Sequence, residues 1–153
     1  MQQNNIEELV NRYLKYSYSV TKKAENLIRE QIGEDMTNDQ HYTLRYIKQT
    51  GVCTSTELAE AFEVKKSAIT AIINRLVERE LIKRTRDEND RRVVYLTLTE
   101  AGEELFLKTE QKIHKLVESF ISQFETTEIE AFLNTFEKLN NILIDHKDCK
   151  MEE

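Results

Sequence analysis

The chain has 153 residues, a formal net charge of −6, no proline and only three glycines, with 33% charged and 39% hydrophobic residues. That balance suits one folded domain rich in uninterrupted helices and argues against a disordered chain. No apolar run approaches the ~20 residues of a membrane span. The opening "MQQNNIEELV" lacks a basic stretch followed by an apolar one, so a cytoplasmic location is expected.

In chain order, Ile6, Leu9, Val10, Tyr13, Leu14, Val20, Ala24, Leu27, Ile28 and Ile32 recur at spacings of three and four. They predict one long amphipathic helix, with Gly33 as its stop. Asn38 or Thr37 caps a second helix that carries Leu44 and Ile47 and ends at Gly51. "TSTE" at 54–57 fits a capping box and opens a short third helix over Glu57–Phe62. A fourth runs from near Lys66 to about Glu80. The period then switches to two: Val94, Leu96 and Leu98 alternate with Val93, Tyr95 and Thr97, and "LIKRTR" before the turn pairs with them. "DEND" between the strands is turn chemistry, with Asn89 the residue expected at positive φ. Thr99 is expected as an N-cap, and Gly102 as a site of close backbone approach. Two more helical stripes follow, one from Leu105 to Phe124 and one from Ile129 to Leu143.

Residues 54–77 have the inward pattern of a helix-turn-helix. Leu58 and Phe62 face in from its first helix, Ala59 is small at the crossing, Val64 closes the turn, and Ile69, Ile72 or Ile73, and Leu76 hold the second helix. Lys65, Lys66, Ser67, Thr70, Ala71, Asn74 and Arg75 are left on the outer face, short or donor-rich side chains suited to a major groove about 12 Å wide. Residues 65–92 hold nine basic and five acidic residues, a local charge of +4, which leaves −10 for the remainder. Screening confines each field to roughly 8 Å at physiological salt, so a local cationic patch outweighs the overall sign. Arg91 and Arg92 sit together at the start of a strand, and arginine is the residue suited to a narrow minor groove. Asp90 is close enough to hold one of the two guanidinium groups before DNA arrives, lowering the entropy lost on binding.

The region 37–99 can close a core of its own. The outer helices, 1–34 and 100–146, carry apolar stripes longer than that small domain covers, so a second copy of the same faces is the expected partner rather than one larger monomeric core. A charged tail follows at 147–153. Enzyme chemistry is not indicated. Cys53 and Cys149 are far apart, His41, His114 and His146 have no ligand-like spacing, and there is no phosphate loop or glycine-flanked serine. No metal or other cofactor is expected.

"TELAEAFEVKKSAITAIINRLVERELIKR" followed by "RDENDRRVVYLTLTEAG" resembles the MarR family of winged helix-turn-helix transcriptional regulators, over nearly the whole chain. The wing signature is matched by Asp90, Arg91 and Arg92, and the closing motif by Leu98, Thr99 and Gly102. The resemblance implies a mainly α fold with a small β-hairpin wing, a single MarR-type domain over 1–146, and a homodimer formed through its first and last helices. It implies that the fourth helix reads the major groove of double-stranded DNA and Arg92 the adjacent minor groove. The implied contacts are Lys65, Lys66, Ser67, Thr70, Asn74, Arg75, Arg91 and Arg92, with Asp90 orienting the wing. Lys65 stands where serine is common, Ala71 where a longer polar residue is, and Glu80 where glycine usually ends the helix.

Family resemblance also implies a regulator, expected to be a repressor, held at a palindromic promoter site and released by a small phenolic or other aromatic effector. Tyr13, Tyr16, Tyr18, Tyr42 and Tyr46 either line an aromatic pocket or pack the helices, packing being preferred. The first helix has no cysteine, and Cys53 beside a turn reads as a small buried residue rather than an oxidant sensor. The competing classes are a winged-helix module that binds protein instead of DNA, and a helical enzyme or ligand carrier, for which no titrating residues converge.

Overall fold

The computed structural model describes residues 3–151. Six helices and one hairpin follow in the order α1 (Gln3–Ile32), α2 (Asn38–Thr50), α3 (Ser55–Phe62), α4 (Lys66–Glu78), β1 (Ile82–Arg86), β2 (Val94–Leu98), α5 (Glu100–Ile121) and α6 (Thr126–Met151). The chain divides into two compact units, residues 1–113 and 114–153. Helix α6 continues through Met151, so residues 147–151 of the charged tail are helical. Among the described residues no helix is long and apolar enough to cross a membrane.

Local chemistry sets the helix starts. Thr37 rather than Asn38 opens α2: its Oγ1 accepts from Gln40 N at 3.2 Å, and Gln40 Oε1 accepts in return from Thr37 N at 3.5 Å. Thr54 and Glu57 form the expected capping box at 3.2 and 3.0 Å, although α3 begins at Ser55, two residues before the expected start. Gly51, at φ 80°, terminates α2 in a conformation that L side chains rarely adopt.

The stops of α3 and α4 are built alike, and without glycine. At the end of α3, Glu63 N donates to Glu60 O and Val64 N to Ala59 O; at the end of α4, Glu80 N donates to Val77 O and Leu81 N to Leu76 O. Both are Schellman motifs, each satisfying two carbonyls of the last turn. Each places a glutamate in the left-handed region, Glu63 at φ 55° and Glu80 at φ 59°. These are the non-glycine residues at positive φ among those described, and Asn89 is not one of them. The hairpin turn reaches its shape through the Asp87 side chain instead. Val64 is a second correction: its side chain is 44% exposed, so the helix-turn-helix turn is closed by its backbone rather than by its isopropyl group.

β1 and β2 pair antiparallel, with Ile82 opposite Leu98 and Arg86 opposite Val94. Cys53 adds a bridge on the far side of β2, exchanging hydrogen bonds with Leu96 at 3.3 and 2.7 Å. Thr99 caps α5: its Oγ1 accepts from Gly102 N at 3.0 Å and donates to Glu80 O at 2.6 Å. A Cβ on Gly102 would lie 1.9 Å from Leu81 O, which is the close approach the sequence anticipates. The core of the first unit gathers Ile32, Leu44, Ile47, Leu58, Ile69, Ile73, Leu76, Ile82, Leu96, Phe106 and Ile113. Of Ile72 and Ile73, Ile73 is the buried one, and Ile72 and Phe62 are half-buried against the same cluster.

Candidate nucleic-acid interface

Ile69, Ile73 and Leu76 anchor α4 at spacings of four and three, so the opposite face is turned outward. Lys65, Lys66, Ser67, Thr70, Ala71, Asn74 and Arg75 are all exposed, as expected. Lys65 occupies the N-cap with extended backbone but no side-chain cap bond, and no acidic residue lies in the first turn of α4. The start of this helix thus keeps its positive dipole end uncompensated, with two lysines beside it, an arrangement that favours an anion. Thr70 Oγ1 donates to Lys66 O at 2.9 Å. Asn74 Oδ1 accepts from Nη2 of Arg84, a residue of β1.

The hairpin tip is organised by two carboxylates. Asp87 Oδ1 accepts from Asn89 N at 2.8 Å and Asp90 N at 3.0 Å, while its Oδ2 accepts from the Tyr95 hydroxyl at 3.1 Å. Those bonds, the Asp90 and Asn89 N–H groups foremost, hold the Asp87 carboxyl below its usual range. Asp90 turns to Arg92: Oδ1 accepts from Arg92 N and Nε, each at 3.1 Å, and Oδ2 from Nη2 at 3.2 Å. The guanidinium also keeps the Asp90 carboxyl ionised below the usual range. Of the two adjacent arginines, Arg92 is therefore the one that Asp90 holds, and its side chain is still 91% exposed. The Arg91 carbonyl accepts from Arg86 Nη1 at 2.8 Å, which ties the tip back to β1.

Arg79, counted in the basic cluster, points elsewhere: it donates to Gln40 Oε1 at 3.0 Å and to Asp35 O at 2.5 Å. Between α3, α4 and the hairpin lies a cleft of about 310 Å³ lined by Ser55, Thr70, Ile73, Arg84, Arg86, Val94 and Leu96. Tyr46 packs edge-on against Phe62 at 5.8 Å, in keeping with the packing reading, whereas Tyr13, Tyr16 and Tyr18 lie exposed along α1. Burial pushes the Cys53 thiol up to about 11, so it carries almost no thiolate at neutral pH. Among the described residues no group of three or more His, Cys, Asp or Glu is placed to hold a metal ion.

Sequence reasoning passed over Arg84, Asp87 and His41. Arg84 and Asp87 stand beside the singled-out residues but act through partners 10 and 8 positions away. His41 is buried, with Nδ1 2.9 Å from Thr109 Oγ1 and Nε2 3.0 Å from Glu110 Oε2. A separation of 68 positions gives no local signal for that cluster.

An anchored helix-turn-helix with an open outer face, followed by a two-stranded ribbon whose turn carries a held arginine, defines a winged helix-turn-helix protein. Residues 36–94 match the MarR family. The chain is 32% identical over 124 residues to the uncharacterized HTH-type transcriptional regulator YpoP of Bacillus subtilis, covering 79% of this chain and 86% of that one. It is 40% identical over 70 residues to the HTH-type transcriptional repressor MdtR of B. subtilis, covering 46% and 45% of the two chains. Its fold is that of a mutant MarR from E. coli complexed with operator DNA, at TM-score 0.75 and 23% identity, over 85% of this chain and 94% of that one. The chain belongs to the MarR family of transcriptional regulators. The relatives are transcriptional regulators, not enzymes.

Proposed function

We propose that the chain acts as a homodimer that occupies a palindromic promoter site and represses transcription there. The observation that carries this reading is the wing tip: an arginine oriented by two bonds from its guanidinium to one carboxylate yet almost wholly exposed. A solvated surface arginine needs no such holding, whereas one entering a minor groove loses less side-chain entropy when its direction is already set. Lys65, Lys66 and Ser67, at the uncompensated start of α4, meet phosphate. Thr70 and Asn74 meet base edges, and Arg75, Arg91 and Arg92 complete the contact. Two such lobes reach successive major grooves when their α4 helices are about 34 Å apart. The whole of 1–146 serves as one functional domain, with 37–99 binding DNA and the flanking helices pairing two copies, and the site of action is the cytoplasm.

Repression needs only that the dimer cover a promoter, and the name of the related MdtR favours that direction. Release follows when a small aromatic or phenolic effector binds better to a spacing that does not match the grooves. The cleft between α4 and the hairpin supports such a step, its lining combining Ile73, Val94 and Leu96 with Arg84 and Arg86.

The test is duplex binding by the full chain over a salt series, on a site found by footprinting upstream of its own coding region. Arg92→Ala is expected to weaken binding about tenfold and to flatten the salt dependence by about one counterion per wing. An unchanged affinity and slope would remove the wing from the interface and favour a protein-binding module.

A further inference from the structure

We propose that Arg84 is a specificity-determining positioning residue that decides which end of the Asn74 amide is offered to a base. The proposal rests on the DNA-reading role of α4 set out above. Side chains alternate along β1, so Ile82 and Arg84 share a face. Ile82 is buried in the core, and Arg84 stands opposite the buried Leu96. That face carries the Arg84 guanidinium to the outer side of α4, where Nη2 donates to Asn74 Oδ1.

A guanidinium has donors and no acceptor, so the amide oxygen must be the end that faces it. Nδ2 and its two hydrogens are thereby turned away from β1. An unheld asparagine rotates freely and reads adenine through both ends of its amide, accepting from N6 and donating to N7. With its oxygen drawn to Arg84, Asn74 becomes a donor, matched to guanine O6 and N7 or to thymine O4. One turn earlier Thr70 makes the opposite offer. Its hydroxyl hydrogen is committed to Lys66 O at 2.9 Å, which leaves lone pairs for an exocyclic amine of cytosine or adenine. The outer face of α4 thus presents an acceptor and then a donor about 6 Å apart along the helix axis. Arg84 itself sets the second letter without touching a base.

The experiment uses the full chain and the footprinted duplex, with every base pair of one half-site replaced in turn. Arg84→Met keeps the length of the side chain and removes its donors; Arg84→Lys keeps one donor group. The wild type is expected to prefer guanine or thymine at one base pair by about tenfold. Arg84→Met is expected to lose that preference, gaining relative affinity for adenine there, while selectivity at the other positions is kept. Arg84→Lys is expected to retain part of it. The double variant Arg84→Met/Asn74→Ala is expected to match Asn74→Ala in base preference. In the free protein, Arg84→Met should also shift the Asn74 side-chain amide resonances. Unaltered discrimination in Arg84→Met, additive effects of the two substitutions, or an unmoved amide resonance each overturn this proposal alone. A wild type that ignores every duplex at low ionic strength overturns the DNA reading and this proposal with it.

Discussion

At His41 the interior of the first unit holds a titratable ring, 1% exposed and stacked on Phe106 at 5.4 Å. A carboxylate only accepts, so Nε2 carries the proton shared with Glu110, while Nδ1 lies 2.9 Å from Thr109 Oγ1, whose hydroxyl is also placed to donate to Leu105 O and Phe106 O. Burial lowers the affinity of this ring for a second proton, and the Arg45 guanidinium acts in the same direction; Glu110 opposes them without reversing the result. The folded protein therefore binds fewer protons than the unfolded chain below the ordinary imidazole value of about 6.5. Stability contributed by the neutral ring is present above that value and is lost as the pH falls from it toward the depressed folded value. Thermal unfolding followed from about pH 7.5 to about 5.5 should show a falling midpoint, and His41→Gln should flatten the decline. An equally steep decline in the variant would assign it to other groups. Asp35, paired with Lys112 at 3.1 Å and Lys108 at 3.5 Å, is also held ionised below its usual range and contributes at lower pH.

Among the elements, α4 starts without a side-chain cap. Its N-cap is Lys65, with φ −67° and ψ 145°, a backbone shape a capping serine adopts without change, yet no side chain satisfies the first N–H groups. Lys65 and Lys66 also oppose the positive end of the helix dipole. Lys65→Ser is expected to raise stability by about 1 kcal/mol in denaturant unfolding while weakening binding to all duplexes alike. A variant no more stable than the wild type would mean that the cap is already satisfied. At its other end α4 stops through Glu80 in the left-handed region, backed by buried Leu76 and Leu81 and by the Thr99 bond to the Glu80 carbonyl. Tertiary contacts on both sides offset the ~1–2 kcal/mol by which a non-glycine residue resists that conformation.

At the scale of the whole molecule the unsettled faces are apolar. Ile6, Leu9, Val10, Tyr13 and Leu14 lie exposed along α1; in the second unit so do Phe132, Leu133, Phe136, Ile142, Leu143 and Ile144 of α6. Phe132 and Phe136 stack on one another at 5.4 Å with 56% and 58% of their surface open. Exposed large apolar side chains in such number along a helix mark an interaction site. A homodimer is the assembly it supports, because two copies supply the same face to each other. Wild-type protein should sediment as a dimer at micromolar concentration. Phe132→Glu with Phe136→Glu should give monomers that keep their helix content but lose tight binding to a two-half-site duplex. A dimer that survives both charges would move the interface off this stripe of α6.

Much of this protein was determined by short-range sequence. The capping box led by Thr54, the glycine at the end of α2, the stripe that anchors α4, the switch from a period near 3.6 to one of two, and the hold of Asp90 on a neighbouring guanidinium all act within a few residues of one another, and a linear reading recovers them. Tertiary structure decided what depends on distant parts of the chain. Residue 41 is set beside residues 109 and 110, Cys53 bridges to Leu96, and Arg84 is brought across from β1 to Asn74. It also chose the sites of backbone strain. Asn89 has the chemistry for positive φ, but the Asp87 carboxylate shapes that turn without it, whereas Glu63 and Glu80 are forced there because Leu58 and Leu76 must enter one core while the chain reverses. A residue's own preference is worth about 1 kcal/mol; the burial of the leucines around it is worth several.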